Sequence, residues 1–359
     1  MAFMSFPPYT VFIWPVFIYI HMKYFPAGEV ERLVIFMLRA AIIGCGTVAP
    51  VHAYALKQLP DIELIACADI DSNRAASMAR EYGLRAYDSM EHLLDREQVD
   101  VVHLCTPHHL HVPMAQLAAS RGIHVFSEKP PAIDRQQWAA LHEAAGKVRV
   151  GICFQNRYNG SVVKLRELLA NGSLGKPLGA RAFVTWSRGR EYYEGSGWRG
   201  RQGTEGGGVL INQAIHTLDL MVHLLGRPDN VEAKLSNHHL KGIIDVEDTV
   251  EAYMTFSGAP GLFYATTAYC ANSPVFLEIV CENAAVRMEK DTLSVVWNNG
   301  REEAFAYTSN LPVTKDYWGA AHVTCIREYY HALQNGLDVP IGVPQVEDTV
   351  EAMFAIYGK

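Results

Sequence analysis

The segment Leu38–Leu56, LRAAIIGCGTVAPVHAYAL, decides the fold. A short apolar run leads into Gly44-x-Gly46-x-x-Ala49, and a helical pattern follows. Strand, glycine turn and helix in that order open a dinucleotide-binding βαβ unit. Each small residue has a physical reason. Gly44 permits the tight turn, Gly46 lets backbone approach a pyrophosphate, and Ala49 lets the helix lie close to the strand. The turn residues Thr47 and Val48 and the helix start then offer N–H groups to phosphates. Asp69 ends the next strand, 23 residues after Gly46. A carboxylate there accepts both ribose hydroxyls of NAD and repels a 2′-phosphate. NAD is therefore the expected cofactor, and Arg74, about one helical turn on, leaves NADP open.

Outward from this segment the same alternation continues. Strand-like runs IELIACAD, VDVVHLCTP, IHVFSEKP and VRVGICFQN are separated by helical patterns at Ser72–Tyr82, Val112–Arg121 and Asp134–Ala145. Apolar runs alternating with amphipathic segments predict a doubly wound α/β domain with a parallel sheet, over roughly 38–156. A helix follows at Ser161–Ala170. Then strand-like runs crowd together without helices between them: Val231–Leu235, Val250–Phe256, Leu262–Ala268, Val275–Val280, Ala285–Glu289 and Leu293–Trp297. That predicts an α+β domain over 157–359 with an open, mainly antiparallel sheet, closed by helices at Ala321–Gln334 and Glu347–Tyr357. The heptamer VEDTVEA occurs at 246–252 and at 346–352. The first copy leads into strand alternation and the second sits on helical spacing, so context decides the structure.

The totals exclude several classes. A net charge of -7 argues against a nucleic-acid surface. Seven scattered cysteines without a C-x-x-C pair fit reduced thiols in the cytoplasm. Residues 1–36 include the uncharged apolar run AFMSFPPYTVFIWPVFIYI. Three prolines and no basic n-region speak against a regular span or a signal peptide. The expectation is an extension outside the fold, with a membrane anchor or a packed arm as the alternatives.

Three later motifs carry chemistry. CTPHHLH places Thr106, Pro107 and His108 at the carboxyl edge of the sheet, where α/β ligands bind. Its histidines share no acidic or cysteine partner at ligand spacing, so no metal is expected. SEKPP brings Glu128 and Lys129 to the same edge, with Pro130 favouring a fixed bend. A lysine there is either a solvated charge or an active-site donor. EGGGVLINQAIHTLDL, residues 205–220, puts Asn212 and His216 four apart on one helix face.

Taken together and in order, GCGTVAP, CTPHHLH, SEKPP, FQNRYN and GGGVLINQAIHTLDL resemble the Gfo/Idh/MocA oxidoreductases, from Leu38 to the C-terminus. The resemblance implies a Rossmann domain, a nicotinamide cofactor, and a second domain whose open sheet forms a homodimer or homotetramer. It implies Lys129 and His216 as the catalytic pair flanking a carbinol. His216 would be the base and Lys129 the electrostatic partner. Glu128 and Lys129 would border the cofactor. Asn212, Arg157 from FQNRYN, and Tyr193, Trp198 and Arg199 from REYYEGSGWRG are the substrate-binding candidates. Many such enzymes carry Asp where this chain has Asn212. NQAIH resembles members acting on pyranose rings, so a sugar or sugar-derivative hydroxyl, with C3 a candidate, is the expected substrate. The competing readings are a glycosidase or lyase using transient oxidation, and a non-catalytic dinucleotide-binding regulator.

Overall fold

Strands buried on both faces need helices on both faces, and the first half of the chain supplies them. The computed structural model describes residues 37–289, 292–307 and 321–359; the expectation for residues 1–36 lies outside them. The elements run β1 (Leu38–Ile43), α1 (Ala49–Lys57), β2 (Ile62–Ala68), α2 (Ser72–Tyr82), β3 (Arg85–Tyr87) and α3 (Met90–Arg96). They continue with β4 (Val101–Leu104), α4 (His111–Ser120), β5 (His124–Ser127), α5 (Arg135–Ala145) and β6 (Val150–Ile152). The sheet order is β3-β2-β1-β4-β5-β6, every pairing parallel. The order reverses at β1, between β2 and β4, which is where an open α/β sheet forms its binding crevice.

The second half holds α6 (Gly160–Ala170), β7 (Pro177–Thr185), α7 (Arg190–Glu194), α8 (Gln202–Glu205) and α9 (Ile215–Leu225). Then come β8 (Asn230–Ser236), β9 (Thr249–Phe256), β10 (Ala259–Thr266), β11 (Phe276–Cys281), β12 (Ala284–Glu289), β13 (Thr292–Trp297) and β14 (Glu302–Ala306). The chain ends with α10 (His322–Gln334) and α11 (Val343–Tyr357). The eight strands are ordered β14-β13-β12-β11-β7-β10-β9-β8, antiparallel except for β7 with β10. On β9 the alternation works as expected, with Val250, Ala252, Met254 and Phe256 all buried. The opposite face stays open, and Tyr253, Leu262, Val280 and Val296 are each at least 41% exposed on it.

Six elements were not read from the sequence, the short helices α7 and α8 among them. β3 is only three residues long, and α3 spans only seven. β7 begins in Pro177-Leu178-Gly179 and has few large apolar residues. β14, EEAFA, is a charged edge strand, the composition that keeps an edge from pairing further. α11 also starts four residues before its expected start, with Pro344 in its first turn, where a missing N–H costs nothing.

Candidate active site

Glycine, acid and lysine reach one edge because parallel strands end together. Gly44 has φ +89°, and a Cβ there would lie 2.7 Å from the Cys105 carbonyl oxygen, so only glycine fits this turn. A Cβ on Gly46 would meet nothing within 4 Å. That leaves room for a ligand against the backbone. Val48 caps α1 without any side-chain bond, so the helix N-terminus keeps donors for an anion. The Asp69 carboxylate is fixed on both oxygens, accepting N–H groups from Cys45 and Asp71 at 2.8 Å each. Each oxygen retains a second lone pair, so the acid is oriented rather than consumed. Arg74 is paired instead with Asp71 at 3.2 Å. Glycine turn, open helix start and oriented acid fit a dinucleotide.

Beyond β4 the four histidines of the CTPHHLH region diverge. The His108 ring reaches the Glu205 carbonyl at 2.9 Å and His109 reaches that of Thr204 at 3.2 Å. His111 bonds the carbonyls of Pro130 and Thr106, and His103 engages His52 and Tyr330. They lock the carboxyl-edge loop onto its neighbours and share no centre. Thr106 lies in the same loop, its hydroxyl toward the Met114 sulfur. A group of three buried ligand-type residues does occur elsewhere: His52, Glu128 and Cys153.

Lys129 follows β5, and its bond to Pro130 is cis. Its Nζ donates to the Asn212 carbonyl oxygen at 2.7 Å. Burial lowers the lysine below its ordinary range, opposed by the charges of Glu128 and Glu205. His216 is the second residue of α9, its ring edge-on to Phe154 at 5.7 Å. Burial, and then the Lys129 charge, push its imidazole down to about 3. Its Nδ1 is enclosed and has no hydrogen-bond partner among the described residues. The lysine charge therefore acts on the histidine, and the depressed imidazole is uncharged at neutral pH.

Several expectations need correction. Residues 210–214 form a π-helical turn, which shifts the simple four-residue register between Asn212 and His216. The Asn212 amide donates to the Glu205 carboxylate and, at 3.4 Å, to the Tyr192 hydroxyl, not to His216. Arg157 makes a bidentate pair with the fully buried Asp219 at 2.6 and 2.9 Å and also bonds the Gln345 carbonyl. Those contacts commit its guanidinium to tying α9 to α11, so it has no fork left for a substrate. Tyr193 packs in a small core with Leu240, Ile244 and Val246, while Tyr192 faces Asn212 and Gln213. The Glu128 carboxylate meets His52 of α1 at 3.0 Å rather than standing free at the cofactor edge. Burial alone would raise it; the His52 bond and charge reverse the sign and hold it well below the usual range.

Trp198 and Arg199 lie against His108 and Tyr192. The Trp198 ring lies 4.7 Å from that of His108. The Arg199 guanidinium stacks on Tyr192 at 4.6 Å and Trp198 at 4.8 Å, its Nε enclosed without a partner. Glu205 is the residue sequence reasoning missed, and Tyr192, which the REYYEGSGWRG stretch also offers, takes the place expected of Tyr193. For Glu205 the signal was an acid directly before three glycines. A Cβ on Gly208 would lie 1.8 Å from the Glu247 carbonyl oxygen, so this glycine serves close backbone packing.

A parallel sheet that gathers a phosphate turn and an oriented acid at its switch point is of the dinucleotide-binding class. Residues 38–154 match an oxidoreductase family with an NAD-binding Rossmann fold, and residues 162–287 match the GFO/IDH/MocA C-terminal domain. The chain belongs to the Gfo/Idh/MocA oxidoreductase family. It is 34% identical over 197 residues to the D-glucoside 3-dehydrogenase of Escherichia coli (strain K12). That match covers 53% of this chain and 55% of the relative, so it spans little more than half the relative's length. The glucose-6-phosphate 3-dehydrogenase of Bacillus subtilis (strain 168) is 26% identical over 297 residues, 80% of each chain. Among solved structures, the WlbA dehydrogenase from Bordetella pertussis, in complex with NADH and UDP-GlcNAcA, superposes with a TM-score of 0.76 at 26% identity. That alignment covers 89% of this chain and 95% of the other.

Proposed function

We propose that this chain oxidises a secondary hydroxyl of a sugar or sugar derivative, with NAD as the hydride acceptor. The observation that carries the reading is a His216 whose enclosed Nδ1 has no partner among the described residues and whose imidazole feels the charge of Lys129, itself held on the Asn212 backbone carbonyl. Two relatives are named for oxidation at position 3 of a glucoside and of glucose 6-phosphate, which favours pyranose C3. When bound, the nicotinamide supplies the hydride acceptor. His216 takes the hydroxyl proton. Lys129 donates to the carbinol oxygen and stabilises its developing charge. Asp69 holds the ribose, and Ile70, 96% exposed next to it, offers the base an apolar face. Tyr192 and Trp198 give sugar-stacking faces, and Arg199 a forked donor.

Residues 38–156 and 157–359 would then act as cofactor and substrate domains. The open sheet face bearing Tyr253, Leu262, Val280 and Val296 would be the homodimer or homotetramer contact. The seven free cysteines favour the cytoplasm. By length and composition the stretch 202–225 could cross a membrane. Yet it is largely buried here and carries the site, as a core helix does. The experiment is a set of pyranosides with NAD, followed by NADH absorbance. Sugar conversion without NADH release would replace this reading with transient oxidation.

A further inference from the structure

Glu205 lies inside the site, and the catalytic reading above gives it no task. It is 0% exposed. One carboxylate oxygen accepts the Gly200 N–H and the other accepts the Asn212 amide. Its backbone carbonyl holds the His108 ring at 2.9 Å, and the Asn212 carbonyl in turn holds Lys129 Nζ at 2.7 Å. One residue therefore braces the loop after β4 and the side-chain amide of Asn212, whose backbone carbonyl holds the lysine, and its charge acts on that lysine directly. Asn212 is neutral and its amide can flip. An anion accepting from its Nδ2 permits one orientation only.

We propose that Glu205, in its ionised form, is a positioning residue that fixes the Asn212 amide and keeps Lys129 charged for the reaction. This rests on the roles given above to Lys129 and His216. The surroundings decide when the anion exists. Burial pushes the Glu205 carboxyl up to about 7. The Gly200 N–H, the Asn212 amide and the Arg199 cation work against that rise, and Glu247 adds to it. Lys129 faces it from the loop after β5, Tyr193 from α7 and Tyr357 from α11, while His108 from the loop after β4 meets its backbone carbonyl. His216, held near 3, does not titrate in this range. Activity should therefore rise with pH through about 7 as Glu205 loses its proton.

The test is the pH profile of kcat and kcat/KM for wild type, E205Q and R199Q, with folding checked by melting temperature and NADH binding. E205Q should lower kcat/KM at pH 8 by roughly 10- to 100-fold, the scale of a lost charged hydrogen bond, and should flatten the limb near pH 7. R199Q keeps Glu205 but removes a cation that favours its anion, so the limb should move up by about half a pH unit or more. A neutral limb that persists unmoved in E205Q overturns the proposal. If E205Q does not fold, an unmoved limb in R199Q does the same. His216→Ala separates the two levels. Normal turnover there would discard the catalytic reading, while a dead His216→Ala with an unchanged E205Q limb would discard only the role of Glu205.

Discussion

Glu128 and Lys129 are adjacent in the chain and serve opposite kinds of polar cluster. On the Glu128 side the hydrogen bonds run without a gap. His52 bonds the carboxylate at 3.0 Å and the His103 ring at 2.9 Å, and His103 continues to the Tyr330 hydroxyl at 2.9 Å. Two protonation patterns satisfy them all, and the raised His52 selects the one with a charged His52 and a neutral His103 whose own proton goes to Tyr330. Burial, followed by the His52 charge, holds His103 well below its ordinary range, in agreement. On the Lys129 side partners run out, leaving His216 Nδ1 and Arg199 Nε enclosed and unmatched. Buried polar atoms without partners are costly. A closed network reads as a fastening between α1, the sheet and α10, and an incomplete one reads as a place where a ligand completes the set.

Substitutions on each side separate the two clusters. Lys129→Ala should lower kcat by roughly 10²–10⁴ with little change in denaturant midpoint. If stability falls instead and the folded fraction turns over normally, the lysine is structural. His52→Ala should do the reverse. It leaves the Glu128 charge buried and unpaired, a loss of about 3–5 kcal/mol in unfolding free energy, while kcat stays within a few-fold.

Acid titration follows from the same pair. Because the Glu128 carboxyl is depressed in the folded state, its stabilising contribution is complete above about 4.3, the ordinary glutamate value. It is lost as pH falls toward the folded value. E128Q should therefore flatten the stability profile below that point, and an unchanged profile would mean the pair carries no linked charge. The smallest effect concerns the cofactor. With Asp69 oriented by two N–H groups, kcat/KM should favour NAD over NADP by at least about tenfold, or 1.4 kcal/mol. Equal use of both would remove Asp69 from the ribose.

Both sheets were legible in the sequence because their signals are local. The strand–turn–helix of Leu38–Leu56 and the alternation of β9 need no knowledge of distant residues. The two VEDTVEA copies show the limit. Val250 is buried on β9 and Val350 on α11, and only the flanking pattern separates them. Side-chain partners were less legible. Arg157 sits in a motif beside the sheet edge, yet its carboxylate, Asp219, is 62 residues away. Tyr192 and Tyr193 are identical in type, and a short helix decides which one enters the core. The π-turn at 210–214 has no compositional mark, so the face shared by Asn212 and His216 was misjudged where the site is built.

The central claim is that the incomplete cluster is catalytic, and its most direct measurement is the turnover of His216→Ala on a confirmed sugar with NAD. The substitution removes an imidazole whose Nδ1 has no partner, so no bond at that atom is lost and the melting temperature should stay near that of the wild type. The account predicts kcat lower by roughly 10²–10⁴ with NAD affinity little changed. Near-wild-type turnover in a folded, NAD-binding His216→Ala protein would contradict it.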